Sequence, residues 1–203
     1  MLIDVHVHIG VGTFADMVVT EDDILRTWEE AGIDIGIVQP TTQRVNIEAQ
    51  RAIHDRIALF AKHNPGRVYG LANVNPRLPP QQFRDEAKRC VEELGFVGLK
   101  LLTVSTAVSP NSADGLMVFK TCQELGVPIM IHTGAGVPMA LPSLCIRPAM
   151  QFPDVKVVLS SGYSDVEVGR HFGGKVVQGF LQKPYEFNTL IERLQPICGK
   201  QAS

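Results

Sequence analysis

Long apolar runs are missing from this chain. None approaches the ~20 residues that span a bilayer, although 45% of the 203 residues are hydrophobic. Blocks of one charge are missing too. Nineteen Lys and Arg stand against 21 Asp and Glu, a net charge of −2, with no basic stripe. Nucleic acid and an anionic membrane surface are thereby excluded as expected partners. Cys90, Cys122, Cys145 and Cys198 include no CxxC pair, which leaves out the redox and zinc motifs built on that spacing. They are expected to be reduced and structural. Charged Asp4 falls inside the first apolar stretch, so no signal peptide is expected and the cytoplasm is the expected compartment.

What is there begins with Leu2-Ile-Asp-Val-His-Val-His-Ile-Gly10. The stretch is short, apolar, β-branched and closed by glycine, and it reads as a buried strand. Residues i and i+2 of a strand share a face. His6 and His8 therefore project together, with Asp4 beneath them. Two imidazoles at a strand's C-terminal end can grip one divalent cation at about 2.0–2.1 Å.

Strand and helix patterns then alternate almost without interruption. A Gly-rich loop, 10–12, follows the first strand. Thr20 and Asp23 form a capping box for a helix that carries Ile24 and Trp28 and stops at Gly32. Strands are expected over 35–38, 68–74, 96–102, 127–131, 155–159 and 176–181. Helices are expected over 46–63, 80–94, 114–125, 143–152, 164–172 and 185–194. That is an α/β chain of about seven β/α units with a parallel sheet buried on both faces. The architecture is a TIM-barrel-like (β/α) sheet or an open doubly wound sheet. Both place the site at the C-terminal ends of the strands, where His132 joins His6 and His8.

Four segments carry a family likeness. Ile3-Asp-Val-His-Val-His8, Gly98-Leu-Lys-Leu101, Gly126-Val-Pro-Ile-Met-Ile-His-Thr-Gly134 and Phe152-Pro-Asp-Val-Lys-Val-Val158 resemble the amidohydrolase superfamily. The nearest branch is the amidohydrolase-related group that includes decarboxylases of aromatic acids. The resemblance implies a (β/α) barrel holding one divalent metal, zinc being the expected ion. It implies His6, His8 and His132 as ligands. Two parts of the family pattern have no match. The strand-six histidine is replaced by Ser160-Ser161-Gly162, and no strand ends in the aspartate expected of the last strand. Turnover is therefore expected to be impaired.

The C-terminal piece resembles something else. Val157-Val-Leu-Ser-Ser-Gly-Tyr-Ser164, Phe172-Gly-Gly174 and Gly179-Phe-Leu-Gln-Lys-Pro-Tyr185 are similar to the end of a response-regulator receiver domain, over about 156–194. Ser161 matches its hydroxyl residue, Phe180 its aromatic switch and Lys183 the lysine that pairs with its phosphorylated aspartate. The phosphoacceptor half is absent. The chain therefore reads as chimera-like: residues 1–158 as a partial amidohydrolase barrel, and 159–203 as a receiver-like segment completing the same domain.

Other candidates are weaker. Asp4, Lys100 and Ser161 are expected around the metal or substrate. His54 and His63, on one long helix at poor ligand spacing, are expected to be solvated. His171 reads as a helix C-terminal residue, Asp165 as a first-turn residue, and Glu186 as a replacement acid. The expected function is a metal-dependent hydrolase or decarboxylase acting on a small molecule. The alternatives are a non-catalytic chimera and a receiver-like signalling module. Self-association is left open.

Overall fold

In the computed structural model, the described residues are 1–12, 18–41, 46–132, 158–161 and 179–182, with Thr189, Glu192, Arg193 and Pro196. The chain divides into two compact units, Met1–Ala140 and Leu141–Ser203.

The first unit opens with β1 (Ile3–Val11), β2 (Val18–Val19), α1 (Glu21–Ala31), β3 (Ile35–Pro40) and α2 (Ile47–His63). It continues with β4 (Val68–Gly70), α3 (Pro80–Glu92), β5 (Leu99–Leu101), α4 (Thr103–Thr106), α5 (Ala113–Leu125) and β6 (Ile129–Ile131). β1, β3 and β4 pair in parallel, and so do β5 and β6. A bridge between Ala72 and Leu99 carries the pairing from the end of β4 to β5. The parallel strands thus neighbour one another in chain order. A doubly wound sheet would reverse that order at a switch point; a (β/α) barrel keeps it.

Local chemistry explains the elements. Thr20 Oγ1 accepts from the Asp23 amide at 3.2 Å, and Asp23 Oδ2 accepts from the Thr20 amide at 3.1 Å. This completes the capping box of α1. Gly32 ends the helix in the left-handed region at φ 67. Asn46 caps α2, and Gly126 closes α5 at φ 66. Apolar positions at helical spacing, Ile24 and Trp28 on α1 and Ile57 and Phe60 on α2, join Ile9, Val38, Phe83, Leu99 and Leu101 in one core. Gly36 and Gly70 are close-approach positions: a Cβ there would sit 2.0 Å from Trp28 and 2.4 Å from Phe96.

Three expectations are corrected. The segment 10–12 is not a simple loop, because β1 runs on through Gly10 and pairs antiparallel with Val18–Val19. The sheet is therefore mixed rather than wholly parallel. The expected strand over 68–74 is hydrogen-bonded as β4 only to Gly70, with Ala72 as an isolated bridge. The short α4 follows β5 and carried no sequence signal.

In the second unit, β7 (Val158–Ser161) and β8 (Gly179–Gln182) form a parallel pair. The helices expected over 143–152 and 164–172 lie outside the described residues, as do His171, Asp165, Lys183 and Glu186. No described helix is long and apolar enough to cross a membrane.

Candidate metal and substrate site

The strand pleat does what the His-x-His spacing asks. His6 Nε2 and His8 Nε2 stand 3.0 Å apart, with ring centroids 4.9 Å apart. The pairing register of β1 shifts between Asp4 and Val7. Within that irregularity Asp4 Oδ1 accepts from the His6 amide at 3.1 Å. Asp4 thus steadies the backbone of His6 and is a supporting residue.

Each ring nitrogen has a definable role. His8 Nδ1 lies 3.2 Å from the Pro40 carbonyl and donates to it, because a carbonyl only accepts. That leaves a lone pair on His8 Nε2. The Lys100 ammonium lies 3.3 Å from His6 Nε2 and only donates. His6 Nε2 therefore carries a lone pair, which accepts from Lys100 and which a metal ion would take in its place. Two ligands about 2.05 Å from one ion at a 90–110° angle stand about 2.9–3.4 Å apart, so the 3.0 Å separation fits one shared cation. The carbonyl behind His8 is the usual outer partner of a ligating imidazole.

His132 follows β6. Its amide donates to the Leu101 carbonyl at 3.0 Å, and its own carbonyl accepts from Thr103 Oγ1 at 3.1 Å. Burial holds His8 below the usual imidazole range, and the charges of Lys100 and His132 push the same way against the Pro40 bond. Burial and the Lys100 charge lower His132. Both rings therefore favour the neutral form, the one that binds metals. Lys100 is 2% exposed, a cation held inside the unit beside His6. The structure thus brings His6, His8 and Lys100 into contact and sets His132 within electrostatic reach. Ser161 and Phe180 lie on β7 and β8 of the second unit.

Sequence reasoning missed a second cluster. His54 is fully buried, not solvated, whereas His63 is exposed as expected. His54 Nδ1 donates to Glu86 Oε1 at 2.8 Å, and its Nε2 accepts from the Asn73 amide at 3.2 Å. Arg89 grips both Glu86 oxygens at 2.9 Å, and Arg51 adds a bond at 3.1 Å. Cys90 Sγ lies 3.3 Å from His54 Nδ1. Among the described residues, His54, Glu86 and Cys90 are the group of three ligand-type side chains whose donor atoms all lie within 4.8 Å. Their lone pairs are already engaged, and burial pushes the Cys90 thiol well up, away from the thiolate a metal needs. This cluster is structural. Its signal was the i, i+3 and i, i+4 spacing of Glu86, Arg89 and Cys90 on α3, but the facing His54 lies 32 residues from Glu86. Cys122 is likewise buried and free, its thiol pushed up to about 12 by burial.

The amidohydrolase family pattern matches residues 3–172. A 2-amino-3-carboxymuconate-6-semialdehyde decarboxylase of Dictyostelium discoideum is 26% identical over 86 residues, which are 42% of this chain and 24% of that protein. The match therefore spans about a quarter of that curated relative's length. A dihydroxybenzoic acid decarboxylase from Polaromonas sp. JS666, solved with bound manganese and the inhibitor 2-nitroresorcinol, superposes with a TM-score of 0.64. It is 16% identical, and the overlap covers 97% of this chain and 90% of that one. The 5-carboxyvanillate decarboxylase of Sphingomonas paucimobilis gives a TM-score of 0.62 at 14% identity, covering 97% of this chain and 92% of that one. The chain shares the TIM-barrel-like fold of these enzymes. The family pattern runs past 158, where the sequence alone had placed the end of the barrel-like part, and none of these relatives is a receiver domain.

Proposed function

This chain belongs to the amidohydrolase family, and from that premise we propose that it binds one divalent ion through His6, His8 and His132 and acts on small carboxylates, as a carboxy-lyase before a hydrolase. The observation that carries the reading is the convergence of His6 Nε2 and His8 Nε2 at 3.0 Å, with Nδ1 of His8 tied to a backbone carbonyl. A bound divalent ion would supply Lewis-acid polarisation of a substrate oxygen. Zinc and manganese both suit imidazole and oxygen donors, and manganese is the ion in the Polaromonas relative.

The chain's own residues add the rest. Asp4 and Pro40 orient the two histidines. Lys100 supplies a buried positive charge that favours a carboxylate over a neutral amide or lactone. Decarboxylation breaks one carbon–carbon bond, releases carbon dioxide and leaves a carbon that must take a proton. No match to the strand-six histidine or the last-strand aspartate of the family pattern is found in the sequence, and Glu186 is the acid nearest to a replacement. General acid–base help is typically worth about 10²–10⁴-fold, so turnover is expected to fall below that of a relative that carries both residues by about that factor.

The receiver-like reading of 156–194 rests on the sequence around Ser161, Phe180 and Lys183. The family match through residue 172 supports amidohydrolase ancestry over the first part of that stretch, 156–172. Binding of beryllofluoride, a phosphoryl analogue, would favour the signalling module instead.

Metal analysis tests the main reading. After incubation with Mn²⁺ or Zn²⁺ and desalting, we expect about one ion per chain, lost in His6→Ala and in His132→Ala. Carbon dioxide release from hydroxybenzoates should depend on the same ion. A folded chain that takes up no metal would end this reading.

A further inference from the structure

Among the described residues, three buried side chains have polar atoms without a hydrogen-bond partner. Gln39 and Asn73 are 0% and 1% exposed. Gln39 Oε1, Thr41 Oγ1 and both amide atoms of Asn73 are buried without a hydrogen-bond partner among the described residues. A polar group buried in that condition weakens the fold, which is why such groups are rare.

Their placement is not accidental to the site. Gln39 pairs in register with His8, and its amide nitrogen lies 3.4 Å from His8 Nε2, long for a hydrogen bond. Asn73 follows Ala72, whose carbonyl accepts from the Lys100 amide at 2.6 Å. Pairing Ala72 with Leu99 sets Asn73 level with Lys100, and level residues of parallel strands share a face. Lys100 in turn reaches His6. The two carboxamides therefore stand on the face that carries His6, His8 and Lys100.

Asn73 is also held firmly. Its amide donates to His54 Nε2, and His54 is locked by Glu86, which Arg51 and Arg89 hold. The buried cluster between α2 and α3 thus fixes the backbone of a residue whose side chain has no hydrogen-bond partner among the described residues.

We propose that Gln39 and Asn73 determine specificity by taking a hydroxyl group of the substrate, adjacent to the carboxylate that Lys100 favours. This rests on the carboxylate reading above. A hydroxyl both donates and accepts, so it can satisfy an amide oxygen and an amide N–H together. A second carboxylate only accepts and would face the unused oxygens of Gln39 and Asn73 unfavourably. A site that leaves polar groups unpaired with the wrong ligand discriminates strongly against it.

The test uses the full chain with Mn²⁺ and titration calorimetry of benzoate and 2-hydroxybenzoate. Wild type should bind 2-hydroxybenzoate at least about tenfold more tightly than benzoate. Asn73→Leu, close in volume, should shrink that preference to about threefold or less while benzoate affinity stays within about twofold. Asn73→Leu should also melt no lower than wild type, since it removes unpaired polar atoms. Gln39→Met should show the same loss of preference and serves if Asn73→Leu does not fold. A preference that survives both variants overturns the proposal, and so does a wild type that ignores the hydroxyl or binds neither acid. A lower melting temperature in both variants would assign these amides a structural role instead, against the proposal. Absence of carbon dioxide release, with the hydroxyl preference intact, would overturn the decarboxylase reading alone.

Discussion

Glu86 stays ionised in the core because His54, Arg89 and Arg51 hold it there. Burial pushes its carboxyl up, but those bonds outweigh it and bring the group down from the usual 4.5 to about 2. A carboxyl whose folded value lies below its unfolded one stabilises the fold above the unfolded value. That contribution should fade as pH falls from 4.5 towards 2. Urea midpoints measured across this window should drop in wild type. Glu86→Gln should flatten the drop and lose about 3–5 kcal/mol at neutral pH, because it leaves Arg51 and Arg89 without their counter-charge. Equal pH slopes in the two proteins would contradict this account of Glu86.

At the scale of the element, α1 and β3 approach closely at Trp28 and Gly36. Trp28 from α1 lies where a Cβ on Gly36 of β3 would stand, 2.0 Å away. Gly36→Ala must push the indole or the helix aside, and overpacking of this kind costs about 1–3 kcal/mol. Trp28→Phe in the same chain should recover part of the loss, because the smaller ring vacates that space; a simple sum of two losses would show that Trp28 is not the obstacle. The start of the helix is a separate contribution. Thr20→Ala removes the acceptor for the Asp23 amide and should cost about 1 kcal/mol. Thr20→Ser should restore most of it, read as a thermal midpoint.

For the whole molecule, metal and chain continuity make two expectations. A ligand that binds only the folded state stabilises it in proportion to the logarithm of its concentration over Kd. Thermal midpoints should therefore rise with added Mn²⁺ or Zn²⁺, fall back with chelator, and stay level in His8→Ala. The second expectation concerns residues 159–203. The described sheet of the second unit has two strands, β7 and β8, and a two-stranded sheet is marginal alone. We expect it to complete one domain with residues 1–158. Unfolding should be a single transition, and limited proteolysis should release no stable fragment ending near Pro153. Two transitions, or such a fragment, would separate the units.

The sequence by itself determined the ends of several helices and the common face of His6 and His8. Capping at Thr20 and Asn46 and the stops at Gly32 and Gly126 are local chemistry, so they were readable without a partner. The same holds for His6 and His8, whose common face follows from the two-residue repeat of one strand. What involves residues far apart in the chain was decided only by tertiary structure. Lys100 reaches His6 across 94 positions, and His54 reaches Glu86 across 32. In the sequence His54 shares one long helix with His63 at poor ligand spacing, which argued for solvent. The packing of α2 against α3 buried it, because Glu86 and the Asn73 amide supplied the bonds that water would have made. Gln39 and Asn73 carried no pattern at all: a polar residue near a strand's end looks the same whether it meets water, a neighbour or a ligand, and only the packed sheet shows that Gln39 Oε1 and the Asn73 carboxamide are buried without a partner among the described residues.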